Sequence, residues 1–157
     1  MNPRVNMADS PVARQMSKAF GTITKAVSAS GLPRAVQALV MIRASQINGC
    51  GFCVDMHTKD ATAEGETAQR LHLVAVWREA TVYSDAERAA LELAEQGTRI
   101  ADAAGGVPDE VWADAAKCYD EEQLSGLVVL IAMINAANRT QVMTRQPAGG
   151  YVVGQFG

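Results

Sequence analysis

Two cysteines and a histidine stand close together in this chain, at Cys50, Cys53 and His57. An α-helix turns by about 100° per residue, so side chains at positions i, i+3 and i+7 lie within an arc of roughly 60°. The spacing therefore predicts a helix that carries all three reactive side chains on one face. Asn48 and Gly49 directly precede the first cysteine and indicate a sharp bend, which places Cys50 at the N-terminus of that helix.

Helix start signals recur along the rest of the chain. Ser10 is followed by a proline at the first helical position, and the spacing of a capping box begins at Ser84 and again at Asp120. Apolar residues recur at helical spacing after these starts, and no alternating pattern lasts long enough to form a sheet. We therefore predict an all-α single domain of about seven helices, with the cysteine pair at the N-terminus of a central helix.

The 157 residues fit one domain with a real hydrophobic core. We predict a flexible N-terminal lead-in over residues 1–9, the helical domain over 10–146, and a glycine-rich tail over 147–157. Such a tail could be an extended arm that folds onto a neighbouring subunit. Arg34 and Arg43 are expected to be solvated, and Asn135 and Asn138 are expected to fix the register of helices or subunits.

The composition limits the partners and the compartment. A formal net charge of −3 argues against nucleic acid as a partner. The longest apolar run, 127–134, is far shorter than the ~20 residues that span a bilayer, so we predict no membrane partner. No basic start followed by an apolar run indicates a signal peptide, and three cysteines are an odd number. These features favour a cytoplasmic dithiol over a framework of structural disulfides.

The segment around the cysteines favours an acidic thiol. A helix N-terminus stabilises a thiolate at Cys50, and His57 follows Cys53 by four residues, within reach of a hydrogen bond. Two such cysteines can also share a proton. A thiolate here could attack a peroxide to give a sulfenic acid, which the second cysteine captures as a disulfide, or it could exchange with another dithiol. The position at the helix end favours Cys50 as the more acidic of the two.

Other uses of these side chains are open. The pair and the histidine could be three ligands of zinc, with Cys118, His72 or Asp60 as the fourth. No second Cys-x-x-Cys or His-x-x-x-His pair closes such a site, so we predict neither a metal nor a cofactor. The two cysteines could also be a buried structural pair. Taken alone, Cys118 is expected to be a packed, inert small hydrophobe, and His72 an ordinary residue of a helix surface.

Further motifs flank the cysteines and carry a family resemblance. They comprise Arg43 to Cys50, Asp55 to Ala61, Gly65 to Thr67, Trp77 to Ala80, Ser84 to Leu91, Ile134 with Asn135, and Asn138 with Arg139. From about Leu32 onward the chain resembles the alkylhydroperoxidase D-like proteins of the carboxymuconolactone decarboxylase superfamily. The resemblance implies an all-helical fold that assembles into a homotrimer or homohexamer. It also implies reduction of alkyl hydroperoxides by a dithiol that a lipoyl protein or a thioredoxin-like protein re-reduces.

The resemblance also implies roles for the three central residues. Cys53 would attack the peroxide, His57 would belong to its proton relay, and Cys50 would be the resolving thiol that faces the reductant. The helix N-terminus argues for the opposite order, since it makes Cys50 the more acidic thiol. The sequence leaves open which cysteine attacks first.

The sequence departs from the family at the relay. Family members usually carry a glutamate twelve residues before the first cysteine, where this chain has Ala38, and a histidine before the second cysteine is Phe52 here. Losing a positioned base costs on the order of 10²–10⁴-fold in rate. Asp60, one turn after the histidine, is a candidate relay residue. Gln46 is another candidate, although turn chemistry favours a structural role in the bend for Gln46 and Asn48.

The sequence is compatible with three functions. The leading interpretation is a thiol-dependent peroxidase, weakened by the alanine at position 38. A lyase of the carboxymuconolactone decarboxylase type is an alternative, against which the cysteine pair counts, because those decarboxylases generally lack it. The third is a non-catalytic oligomeric protein that senses oxidants through a reversible disulfide or binds a small molecule.

Overall fold

The computed structural model describes residues 2–7 and 9–155. Seven α-helices and one short 3-10 helix make up the regular structure of this part, and it contains no β-strand. In chain order they are α1 Pro11–Ala29, α2 Arg34–Ile47, α3 Gly51–Ala63, α4 Ala68–Leu73, the 3-10 helix Val74–Val76, α5 Asp85–Thr98, α6 Asp109–Cys118 and α7 Glu121–Thr144. The predicted all-α class and helix number are confirmed.

The predicted helix starts are confirmed at the level of individual hydrogen bonds. The Ser10 hydroxyl accepts the N–H of Ala13 at 3.3 Å, at the head of α1. Reciprocal capping boxes open α5 at Ser84 and α7 at Asp120, each with a side chain three residues later that bonds back to the cap. Amides left free at the first turn are thereby paired, and these local sequence signals decide where the helices begin.

Helix α2 is the centre of the fold. Leu39, Val40 and Ile42 are almost completely buried, since α2 packs against α3, α5 and α7. Its residues belong to two hydrophobic clusters: one joins it to α1, α5, α6 and α7, and the other joins it to α3, α4 and α5. The helix that carries the cysteines is therefore seated on the most buried helix of the domain.

The expectation that Arg43 is solvated is wrong. Its side chain is 12% exposed and pairs with the buried carboxylate of Glu95, with a distance of 2.6 Å from Nη2 to Oε1. The same carboxylate accepts the indole N–H of Trp77 at 2.8 Å and Nη1 of Arg78 at 2.7 Å. Burial raises the pKa of Glu95, but these donors together outweigh burial and hold the pKa below its ordinary value.

The two terminal segments lie against the helical domain. Residues 2–7 belong to the predicted flexible lead-in, yet the Arg4 N–H donates to the carbonyl of Thr144 at 2.8 Å, and Gln146 donates to the carbonyl of Val5. The tail is hydrogen-bonded to α3 of its own chain, and a contact of this tail with a neighbouring subunit stays a prediction. Met1 and Ala8 of the predicted lead-in, and Phe156 and Gly157 of the predicted tail, lie outside the described residues.

Helix α7 is long and apolar enough, by length and composition alone, to cross a membrane. However, 44% of its apolar window is buried inside the fold, and it packs against α1, α2 and α5. Leu127 and Leu130 are completely buried in the first hydrophobic cluster. We therefore interpret α7 as a core helix. The cytoplasmic location stays a prediction.

Candidate active site

The bend before α3 places Cys50 as the sequence predicts. Gly49 adopts a left-handed conformation with φ of +65°, which ends α2 and redirects the chain. The N–H of Cys50 then donates to the carbonyl of Ser45 at 2.9 Å. Cys50 is the N-cap of α3, and its Sγ accepts the N–H of Cys53 at 3.3 Å. A sulfur in this position lies at the positive end of the helix, where a thiolate is stabilised.

Cys50 and Cys53 form a disulfide in this structure, with an S–S distance of 1.99 Å and a Cα–Cα distance of 5.3 Å. The helical spacing therefore brings the two side chains together. They are only 1% and 2% exposed, so the surrounding protein covers both sulfurs. A partner that exchanges with this disulfide must first gain access to it.

His57 lies one turn after Cys53 on the same helix, and its environment is unusual. The Nε2 atom is buried and has no hydrogen-bond partner among the described residues. Burial lowers the pKa of His57 to about 4, so the imidazole is neutral near pH 7. It can accept or donate a proton through hydrogen bonds, but it provides no positive charge that would stabilise a neighbouring thiolate.

The two candidate relay residues have other partners. The Asp60 carboxylate accepts the hydroxyl of Tyr151 at 2.8 Å, so it is bound to the tail. Gln46 accepts Nη1 of Arg43 at 3.4 Å. Neither side chain bonds to Nε2 of His57, which has no partner in residues 2–7 and 9–155. A relay role for either residue stays a prediction.

Ala38, at the position where the family usually has a glutamate, lies among apolar side chains. Ala38 is 7% exposed and belongs to the second hydrophobic cluster, together with Ala61, Leu71 and Trp77. Ala61 follows His57 by one helical turn, so this cluster borders the histidine's side of α3. The alanine therefore brings no acid or base to this region.

The C-terminal tail is fastened along α3. The N–H of Gly149 donates to Oδ2 of Asp55 at 2.9 Å, and Nζ of Lys59 donates to the carbonyl of Tyr151 at 2.9 Å. A hydrogen bond from Lys59, followed by the smaller contribution of the Gly149 N–H, holds the pKa of Asp55 below its ordinary value despite some desolvation. Next to Cys50, a Cβ on Gly51 would lie 3.5 Å from Cβ of Ala148. The tail thus covers the beginning of the cysteine helix.

A groove of about 710 Å³ runs along the neighbouring face of α3. Val54 and Thr58, which directly follow Cys53 and His57, contribute to its wall, as do Gln46, Lys59, residues of α4 and Val153 of the tail. The two cysteines and His57 are not among its lining residues. The groove therefore adjoins the disulfide without opening onto it in this conformation.

Buried asparagines tie the bend to α7. Nδ2 of Asn48 donates to Oδ1 of Asn135 and to Oδ1 of Asn138, both at 2.9 Å. The asparagines on α7 thus join that helix to the bend, as expected of residues that fix helix register, whereas the side chain of Asn48 bonds to α7 and not within the bend. The sequence does not predict that Asn48 pairs with these two asparagines.

The zinc alternative gains no support from the described residues. Cys118 is exposed at the end of α6, and His72 is exposed on α4. In residues 2–7 and 9–155, no group of three or more His, Cys, Asp or Glu side chains is arranged to hold a metal ion. The expectation that Cys118 is packed inside is wrong, because the last turn of α6 points that side chain outward.

Two features of the site are not predicted from the sequence alone. The Glu95 ion-pair cluster reaches the bend through Arg43 and Gln46, and its signal is a glutamate within the apolar face of α5, beside Leu93 and Ala94. The second is the anchor between Tyr151 and Asp60. An aromatic residue in a glycine-rich tail is the signal for it, because such a residue needs a surface to pack on.

Comparison with known proteins agrees with the fold. Residues 12–96 match the model of the carboxymuconolactone decarboxylase family. The uncharacterized protein YdfG of Bacillus subtilis (strain 168) is 41% identical over 142 residues, which cover 90% of this chain and 94% of YdfG.

Two solved structures are similar over most of the chain. One, from Agrobacterium tumefaciens, is of a protein of unknown function proposed to be an antioxidant defence protein, AhpD; it shares 36% identity with a TM-score of 0.86, covering 96% of this chain and 100% of that one. The other is the debrominase Bmp8, with 22% identity and a TM-score of 0.77, covering 92% and 75% of the two chains. The likeness to Bmp8 shows the fold alone.

Proposed function

The chain belongs to the carboxymuconolactone decarboxylase family, and we propose that it is a thiol-dependent peroxidase that reduces alkyl hydroperoxides through Cys50 and Cys53. The observation that carries this proposal is the Cys50–Cys53 disulfide on the first turn of α3, with His57 one turn further along the same helix. The antioxidant role proposed for the similar Agrobacterium protein also supports it. A lactone decarboxylase has no need of a redox pair, so the cysteines count against that alternative.

The proposed cycle has three steps. A thiolate, assigned by the family resemblance to Cys53, attacks one oxygen of the hydroperoxide; an S–O bond forms, the O–O bond breaks, and the leaving alkoxide takes up a proton to become an alcohol. The thiol of Cys50 then attacks the sulfenic sulfur, which forms the disulfide and releases water. A dithiol, such as a lipoyl protein or a thioredoxin-like protein, supplies two electrons and two protons by exchange and becomes a disulfide itself.

In this cycle the protein positions the two cysteines and contributes little acid–base catalysis. The N–H of Cys53 points at Sγ of Cys50, so a thiolate at Cys50 would be stabilised as it waits for the sulfenic acid. The neutral His57 can pass a proton, but no carboxylate of the described residues accepts a hydrogen bond from its Nε2. We expect a slow peroxidase that works as a homo-oligomer in the cytoplasm.

Nε2 of His57 has no hydrogen-bond partner in the described part of the chain, which favours a second candidate, a redox sensor that forms the disulfide once and does not turn over. The two candidates differ in stoichiometry. A peroxidase consumes many equivalents of hydroperoxide for each chain when a dithiol is present, whereas a sensor consumes one.

The test is turnover of cumene hydroperoxide with dihydrolipoamide as the reductant. Cys53→Ser should abolish turnover, and Cys118→Ser is the matched control, because it removes an exposed cysteine outside the site. Trapping of a sulfenic acid in Cys50→Ser, and its absence in Cys53→Ser, would establish Cys53 as the attacking thiol. Unchanged turnover in Cys53→Ser would refute the proposed function.

A further inference from the structure

The last turn of α2 and the bend that follows it are both hydrogen-bonded to α7. At the bend, the side-chain amide of Asn48 donates to Oδ1 of Asn135 and of Asn138, at 2.9 Å each. One turn earlier, within α2, Oγ of Ser45 accepts Nδ2 of Asn138 at 3.0 Å. The carbonyl of Ser45 also accepts the N–H of Cys50 at 2.9 Å. Asn138 therefore bonds both to the residue at the bend and to the residue whose carbonyl holds Cys50.

The asparagine cluster on α7 is rigid because its groups are paired. Asn138 is completely buried. Nδ2 of Asn135 donates to Oγ1 of Thr98 at 3.1 Å and to the carbonyl of Ile131 at 2.8 Å, and Arg139 donates to its Oδ1 at 3.2 Å. A buried network in which the polar groups have partners holds one geometry, since any rotation would leave a group unpaired.

The two cysteines depend on this bend to different degrees. Cys53 lies within the regular backbone of α3, so the helix itself fixes its position. Cys50 is the N-cap, with φ of −85° and ψ of 87°, outside the regular helix. Its backbone position follows from the bend and from the hydrogen bond to Ser45. Whatever holds the bend therefore sets the distance between the two sulfurs when the disulfide is open.

We propose that Asn48 is a positioning residue for the redox pair, which keeps the Cys50 thiol within bonding reach of Cys53 in the reduced protein. The equilibrium between dithiol and disulfide depends on the effective concentration of one thiol at the other. A fixed bend raises that concentration and favours the disulfide. A merely structural amide would stabilise the oxidised and the reduced protein equally and would leave the equilibrium unchanged.

The inference rests on the proposed function in one respect, which is that the pair must cycle between dithiol and disulfide. Oxidation can be followed in buffers of reduced and oxidised glutathione. Two protein thiols then lose two electrons and two protons as the S–S bond forms, and one oxidised glutathione takes them up to become two reduced molecules. The oxidised fraction of the protein, measured by alkylation of free thiols, gives the equilibrium constant without any peroxidase assay.

The decisive variant is Asn48→Ala, which removes the amide and keeps a residue that tolerates the right-handed φ of −78° found there. We expect the equilibrium constant for disulfide formation to fall about three- to tenfold, the equivalent of one net hydrogen bond. A tenfold change corresponds to about 30 mV in the potential of this two-electron couple, towards a less negative value.

The matched control is Gln37→Ala. Gln37 is a buried amide at the opposite end of α2 and donates to the carbonyl of Leu32 at 2.8 Å. Both variants should melt at a lower temperature than the wild type, but only Asn48→Ala should shift the redox equilibrium. A shift confined to Asn48→Ala supports the positioning role. An unchanged equilibrium constant in a folded Asn48→Ala protein would overturn it.

Two further results separate a failure of the positioning role from misfolding of the variant and from failure of the proposed function. If Asn48→Ala does not fold, Asn48→Ser, which shortens the side chain and cannot reach both acceptors, is judged by the same criterion. If the wild-type chain shows no reversible transition between dithiol and disulfide, the proposed function itself fails, and the positioning role fails with it.

Discussion

Tyr151 donates a hydrogen bond of 2.8 Å from its hydroxyl to Oδ1 of Asp60, on the helix that carries both cysteines. Although it belongs to the C-terminal tail, Tyr151 is only 7% exposed. Desolvation and the hydrogen bond to the Asp60 carboxylate both raise the pKa of its hydroxyl, which therefore stays protonated as a donor at neutral pH. The bond holds the tail against the helix that carries the disulfide.

Loosening this anchor should expose the disulfide to bulky reductants. Tyr151→Phe removes the hydroxyl and keeps the ring, so the tail should detach from α3 more often. The loss of one hydrogen bond changes such an opening equilibrium by about three- to tenfold. We expect thioredoxin to reduce the disulfide faster by that factor, as measured by the release of free thiols with time.

The control for the tail is Val152→Ala, a neighbouring substitution at a side chain that is 68% exposed. It should leave the rate of reduction unchanged. Dithiothreitol, which is far smaller than a protein, should show a weaker response to Tyr151→Phe than thioredoxin does. Equal rates for the wild type and Tyr151→Phe with thioredoxin would contradict a covering role for the tail.

What the sequence predicts well here depends on neighbours along the chain. The capping boxes at Ser84 and Asp120 and the three-residue spacing from Cys50 to Cys53 all act within one helical turn. Their physics is local, so a linear pattern is enough to place them. The approach of the two sulfurs follows for the same reason.

What the sequence does not predict depends on contacts across the fold. Asn48 and Asn135 are 87 positions apart, and no local pattern says which buried amide meets which. A charged side chain such as that of Arg43 is usually exposed, but Glu95 from another helix pairs with it in the interior. The tail has no periodicity at all, and only packing on α3 gives it a structure.

The buried imidazole should make stability depend on pH. The pKa of His57 is about 4 in the folded chain, against an ordinary value of 6.5 in the unfolded chain. Between these values the unfolded chain binds more protons, so the free energy of unfolding falls as the pH is lowered from 6.5 to 4. The full effect is about 3 kcal/mol and should be reached near pH 4.

Replacement of the imidazole isolates this contribution. His57→Phe should remove it, so that the difference in unfolding free energy from the wild type changes between pH 6.5 and 4 in urea titrations. His72→Gln, which alters an exposed histidine on α4, should keep the pH dependence of the wild type. A parallel pH dependence in the wild type and His57→Phe would contradict a buried neutral imidazole.

The contact between α1 and α7 leaves no room for a side chain at Gly126. A Cβ there would overlap Oγ of Ser30 and lie 3.1 Å from Cβ of Ser30, and that hydroxyl is fixed by its bond to the carbonyl of Val27 at 2.7 Å. Gly126→Ala should therefore destabilise the fold by about 1–3 kcal/mol, as overpacked cores do. Gly21→Ala is the matched control, since nothing lies within 4 Å of its Cβ.

The control should change stability in the opposite direction. Alanine is favoured over glycine within a helix by about 1 kcal/mol, so Gly21→Ala should be slightly more stable than the wild type. Urea denaturation of the three proteins measures both effects. If Gly126→Ala unfolds at the same urea concentration as Gly21→Ala, α1 and α7 can move apart without a loss of stability. That result would contradict the claim that their contact leaves no room for a side chain.

Restoring the family's carboxylate tests why the histidine is neutral. Ala38→Glu places an acid in the apolar cluster that borders His57, and an opposite charge favours the protonated imidazole. We expect the pKa of His57 to rise in NMR titration and the turnover of cumene hydroperoxide to increase by at least about tenfold, since a positioned base supplies 10²–10⁴-fold. Ala38→Gln, of the same size but without charge, should change neither quantity. If both variants leave turnover at the wild-type level, a missing base does not limit the rate, and access to the buried sulfurs is the better explanation for slow turnover.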